Sequence, residues 1–133
     1  MNNLELEAYL ADLLDQGRYT DYAPNGIQIE GKPQIQKIAT AVTASLAVIE
    51  KAASLNVDAL LVHHGYFWKG EPYPIRGFKK VRIATLIKND INLLAYHLPL
   101  DNYPLWGNNA SIAQRLNIEL TKQHDLLWTG ELP

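Results

Sequence analysis

The chain contains no cysteine, which removes disulfides, thiolate-bound zinc and cysteine nucleophiles together. Any metal it holds must therefore be bound through imidazole nitrogen and oxygen. Excess charge is also missing: 12 Lys and Arg stand against 14 Asp and Glu, a formal net charge of −2. Without a basic field, neither nucleic acid nor an anionic membrane is an expected partner. Long apolar runs are absent as well. DALLV and INLLAY fall far short of the ~20 residues a membrane-spanning helix needs. The N-terminal run MNNLELEAYLADLLDQ carries acids where a secretory signal carries cations. The cytoplasm is accordingly the expected compartment.

What is present suits a folded protein. The 133 residues are 47% hydrophobic and 20% charged, enough for a single α/β domain over 1–133 with a buried core. Residues 3–15 place leucines at helical spacing, with Gly17 as the expected stop. DYAPNG is a dense turn signal, followed by the short alternating stretch IQIEG. Lys37 to Thr43 reads as a buried strand. Residues 45–55 read as a helix capped by Thr43 or Ser45, and Val57 to Val62 as a second strand. After a loop from Tyr66 to Gly77, residues 78–89 form a helix expected to pack through Val81, Ala84, Leu86 and Ile87. Ile91 to Tyr96 is the third strand, and Asn108 to Leu116 a short helix capped by Asn108 or Asn109. Alternating strands and helices predict parallel strands joined by right-handed crossovers. The closing LLWTGELP includes an exposed-looking Trp128, an ending that a partner surface, further downstream sequence or a plain terminus would each explain.

In parallel α/β sheets, ligands bind beyond the carboxyl ends of the strands. His63 and His64 close the second strand, while His97 and Asp101 follow the third. If those strands are neighbours, about 5 Å apart, both groups converge. Side chains adjacent in a strand point to opposite faces, but a turn at Gly65 would let both imidazoles serve one cavity. Imidazole with carboxylate suits zinc, iron, manganese or nickel rather than calcium or magnesium. Such a metal lowers the pKa of bound water toward ~7 and supplies hydroxide, so metal-assisted hydrolysis is the reaction class that follows.

Plainer readings compete with this. A lone histidine at a strand end is more often a structural hydrogen-bonding residue. Here three of the four histidines fall at strand ends, and only His124, in the polar stretch TKQHD, reads as solvated surface. The loop aromatics Tyr66, Phe67 and Trp68 read as core or interface packing. Lys69, Arg76, Lys79, Lys80 and Arg82 read as a solvated face, with a base-stacking and phosphate-holding surface as the alternative. Gly65 and Gly70 match no phosphate-binding loop, and Ser45, Ser54 and Ser111 lack a nucleophile-elbow setting.

The segments DYAPNGIQIEG, VTAS, ALLVHHGYFWKG, HLPLD and GNNA run in order along nearly the whole chain. Together they resemble the GTP cyclohydrolase 1 type 2 homologues, dinuclear-metal proteins that form toroidal hexamers. The resemblance implies that His63, His64 and Asp101 are metal ligands. It makes His97 a supporting catalytic residue that orients water, and gives Asn25, Gly26 and Gln28 a structural role. It also implies two divalent transition metals per site, a small-molecule substrate such as a nucleotide, and a homo-oligomer. The activity it implies is hydrolytic opening of the GTP purine ring with loss of formate. Members are typically about twice this length, and their second half supplies a further His and Glu. This chain has no H-x-x-x-E of its own, so it corresponds to the N-terminal half, with one metal or none held by these residues alone. Two other readings remain open: a non-catalytic metal-binding scaffold or interaction module, and an inactive truncated fragment.

Overall fold

The computed structural model describes residues 1–133. Helix α1 (Asn3–Leu13) begins with a reciprocal cap: the Asn2 side chain accepts from Leu4 N, and Glu5 accepts from Asn2 N. It stops earlier than Gly17. The left-handed turn is made by Asp15, at φ 49°, and Gly17 sits in the short 3-10 turn Gln16–Arg18. A short polar side chain tolerates that conformation.

Four strands form the main sheet: β1 (Gly26–Ile29), β2 (Ile38–Thr43), β3 (Ala59–His64) and β4 (Asn92–Ala95). Their order is β1-β4-β3-β2. β2, β3 and β4 are parallel, as the alternation of elements predicts, whereas β1 joins β4 antiparallel at the edge. The crossover helices are α2 (Leu46–Ser54), capped by Ser45, and α3 (Gly77–Lys88).

Side-chain alternation along the strands sends Leu60, Val62, Leu93 and Ala95 into one apolar cluster with Ile49 and Ala52 of α2 and Ile83 and Leu86 of α3. The opposite face buries Ala59, Leu94 and Tyr96 against Leu6 and Leu14. Of the packing residues expected in α3, Leu86 is buried; Val81, Ala84 and Ile87 are exposed, and Ile83 takes the core position. Every residue of β4 is buried. Its one polar residue, Asn92, accepts from Gly31 N and Asn3 Nδ2 and donates to the carbonyls of Lys32 and Asp58. A fully satisfied amide of this kind is tolerated in a core.

After β4 come α4 (Leu98–Asp101) and α5 (Asn108–Arg115), then an antiparallel pair, β5 (Glu119–His124) and β6 (Leu127–Glu131). The α5 cap is Gly107, so Asn108 is helical and its side chain is free for other contacts. The β5–β6 hairpin escapes the sequence reading. All of β5 is exposed, so no face imposes apolar alternation. Trp128, expected to be exposed, is half-buried and donates from Nε1 to Asn102 Oδ1 at 2.7 Å. No helix is long and apolar enough to cross a membrane.

Candidate metal centre

Because β3 and β4 are parallel neighbours, their carboxyl ends emerge side by side. His63 and His64 are the last residues of β3, and His97 follows β4 one residue before α4. The ring centroids of His63 and His64 lie 4.4 Å apart, those of His63 and His97 5.0 Å, and those of His64 and His97 5.8 Å. Each imidazole offers one nitrogen, and the three nitrogens lie within 4.8 Å of one another. Asp101, one turn along from His97, borders the group: Oδ1 is 3.3 Å from His63 Nε2, and Oδ2 is 3.9 Å from His97 Nε2.

The turn after His64 is held by a close backbone approach. A Cβ on Gly65 would stand 2.2 Å from Gln28 Oε1 and 2.8 Å from the Ala95 Cβ. Gln28 reaches from β1 to pin that turn, accepting from Tyr66 N at 2.6 Å and donating to Tyr66 O at 3.0 Å. Tyr66 itself is buried; its hydroxyl donates to Ala44 O at 2.6 Å, and burial pushes its pKa up to about 12. It packs in the core as expected, whereas Trp68 is directed at the site. The Trp68 ring stands edge-on 4.9 Å from His97 and 5.9 Å from His64. Between them Phe67 adopts φ 65°, a left-handed conformation that is strained for a bulky residue. Lys79 pairs with Glu71 at 2.7 Å and lies over the Phe67 ring at 4.7 Å, while Lys69, Arg76 and Lys80 are exposed.

His63 places Nδ1 3.1 Å from Tyr96 O. A carbonyl only accepts, so Nδ1 carries a proton, and in the neutral ring Nε2 is the nitrogen left to accept or bind. The His64 pKa is lowered, first by burial and then by the neighbouring His63 and His97, with Asp101 opposing. Those effects favour the neutral form that binds metals. The DYAPN turn closes the remaining side. Asp21 contacts the His97 ring at 2.7 Å, Asn25 Oδ1 accepts from His97 N at 2.7 Å, and the Tyr22 ring lies 6.3 Å from that of His97. Burial raises the Asp21 pKa, but hydrogen bonds from His97, Asn25, Leu98 and Tyr22 lower it further, for a net decrease.

The donor set fits a divalent transition ion: imidazole nitrogens, a bordering carboxylate and no thiolate. The 3.3 Å between His63 Nε2 and Asp101 Oδ1 matches the separation of two ligand atoms at ~2.0–2.1 Å from one ion in tetrahedral geometry. All four expected residues, His63, His64, His97 and Asp101, meet here, and His97 stands in the same nitrogen group as the other two histidines. His124 lies on exposed β5, outside this group. Asp21 escapes the sequence reading, because an acid in a turn carries no signal of its own until its partner is known.

These features define a class: an α/β protein with a mainly parallel sheet and a histidine-rich candidate metal centre beyond the strand ends. Within that class the chain belongs to the DUF34/NIF3 (NGG1p interacting factor 3) family, whose model matches residues 1–133. Among curated relatives, the GTP cyclohydrolase 1 type 2 homolog of Vibrio cholerae is 62% identical over 118 residues, covering 89% of this chain and 47% of that protein. The protein of the same description from Escherichia coli K12 is 54% identical over 134 residues, covering 99% and 54%. Among solved structures, the protein ybgI, described as of unknown function, superposes with a TM-score of 0.97 at 51% identity, covering 99% of this chain and 54% of its own. A protein from Thermus thermophilus gives 0.87 at 42% identity, covering 96% and 53%. The chain thus spans about half the length of the relatives it matches.

Proposed function

We propose that His63, His64, His97 and Asp101 hold a divalent transition ion and that this chain forms the metal-binding part of a hydrolase acting on a nucleotide or similar small molecule. The observation that carries the reading is the convergence of three imidazole nitrogens within 4.8 Å beside a carboxylate. Relatives described as GTP cyclohydrolase 1 type 2 homologs agree with it. When bound, the ion supplies Lewis acidity, the property that brings the pKa of water near ~7 at zinc centres. The chain's own residues do the rest. His63 and His97 present donors, Asp101 adds negative charge, and Trp68 and Tyr22 wall the site with flat apolar rings suited to a planar substrate. A cytoplasmic homo-oligomer belongs to the same proposal; exposed Val42, Phe78 and Trp106 offer apolar surface for assembly.

Since the chain spans about half of its relatives, turnover is proposed for the completed protein and metal binding for this chain. The test is calorimetric titration of the metal-stripped chain with zinc, alongside His63→Ala and His64→Ala. Saturable binding lost in both variants is expected. Stoichiometry near zero, or binding indifferent to both substitutions, would remove the site. Metal bound tightly without any nucleotide hydrolysis in the completed protein would favour the scaffold reading.

A further inference from the structure

We propose that Asp21 is the positioning residue of this centre: it locks His97 in the tautomer protonated on Nδ1, so that the Nε2 lone pair faces Asp101. The consequence for metal rests on the reading above; the tautomer itself does not.

The donors around Asp21 leave one assignment. Asp21 Oδ1 accepts from Tyr22 N at 2.6 Å and contacts His97 Nδ1 at 2.7 Å. Its Oδ2 accepts from Leu98 N at 2.8 Å and Asn25 Nδ2 at 3.0 Å. An ionised carboxylate has about four lone-pair sites, and three are already occupied by groups that can only donate. The fourth contact, to Nδ1, is short, and neither oxygen has room for a proton of its own. The shared proton therefore belongs to the imidazole, which leaves Nε2 as the acceptor in the neutral ring. Nε2 is the atom 3.9 Å from Asp101 Oδ2.

One carboxylate also holds the backbone next to the ring. Leu98 N is bound by Asp21, and His97 N by Asn25, which Asp21 holds in turn. Rotating the imidazole away would break the Nδ1 contact, while the two backbone bonds keep the ring's attachment point fixed beside Asp21. The side chain of Asp21 is only 4% exposed, so water does not readily replace it. The other two histidines have weaker anchors: a backbone carbonyl at 3.1 Å for His63 and a hydroxyl at 3.5 Å for His64. Only His97 has an ionised partner on its far nitrogen. Such a partner fixes ring orientation and strengthens the donor on the metal side, and its loss typically weakens metal affinity ~10–100-fold. On this geometry His97 turns Nε2 toward Asp101, and the DYAPN turn is part of the site.

The competing explanation is that Asp21 merely ties the turn to the start of α4. Long-range 1H–15N correlation spectra of the metal-free chain, labelled at histidine nitrogen, separate the two at a pH where the ring is neutral. In the unsubstituted chain His97 should appear as a single form protonated on Nδ1. Asp21→Asn must turn an NH2 group toward two donors; it should give mixed His97 forms, leave His63 unchanged and weaken zinc binding ~10–100-fold. A His97 protonated on Nε2 in the unsubstituted chain would overturn the proposal, even if the variant fails to fold. So would a variant with an unchanged His97 spectrum, whatever its zinc affinity. If zinc binds neither protein, the metal reading fails and the tautomer result still decides the role of Asp21.

Discussion

Asn108 donates from Nδ2 to Asp101 Oδ1 at 2.6 Å, and the same nitrogen stands 3.5 Å from His63 Nε2. Its amide hydrogens thus face a carboxylate and an imidazole nitrogen, two groups that a cation would also face. Asn108 can do this because Gly107, and not Asn108, caps α5.

The first prediction follows from that competition. Asn108→Ala should tighten zinc binding roughly fivefold, corresponding to about 1 kcal/mol for a hydrogen bond that no longer has to be displaced. Competition against a chelator of known affinity measures it. Weaker binding would show that Asn108 orients Asp101 for the ion and does not compete with it.

Gly65→Ala should destabilise the fold by ~2 kcal/mol or more, because the added methyl overlaps Gln28 and Ala95. Moving Gln28 also releases Tyr66 N and O. Urea denaturation gives the stability, and zinc affinity should fall with it as the turn beyond His64 shifts. A variant as stable as the parent would mean that the turn can yield to the methyl at no cost.

Acid stability should depend on Asp58. Its pKa is lowered from 3.8 to about 2, first by the hydrogen bond from Lys32 and then by Gln36 N, against the cost of burial, with further help from Lys37 N. A depressed folded pKa contributes stability that is fully present above the unfolded value. That contribution is lost as pH falls from about 4 toward 2. Lys32 is 43% exposed, so solvent screening limits the total to about 1–2 kcal/mol. Asp58→Asn should lower stability at neutral pH and flatten the curve between pH 4 and 2, as urea midpoints across that range would show. An acid limb as steep as the parent's would assign the loss to other carboxylates.

The elements legible beforehand were those with a strong period or a buried run. β3 and β4 are largely buried, which demands consecutive apolar residues. β2, expected to be buried, is an edge strand whose residues are half-buried or exposed. The histidines were legible for the same reason: they interrupt apolar strands at the ends where parallel sheets bind ligands. β5 and β6 bury too little to leave a pattern, and the antiparallel sense of β1 depends on where the chain returns after α1. Gly107 displaced the expected cap because a Cβ there would meet the carbonyls of Tyr103 and Leu100. Asp15 displaced the expected stop because a short polar side chain tolerates the left-handed turn.

By itself the sequence determined which chemistry was available. It offered imidazole and carboxylate without thiolate, placed where two strands end, and it did so in motifs specific enough to show a family. Only the tertiary structure decided which atoms meet. Asp21 and His97 are 76 residues apart along the chain and 2.7 Å apart in space. A hydrogen bond depends on position and angle at the scale of tenths of an ångström, and residue spacing alone does not carry that information. The tautomer of His97, the hold of Asn108 on Asp101 and the tight space around Gly65 arise only once β1, β3 and β4 are packed side by side.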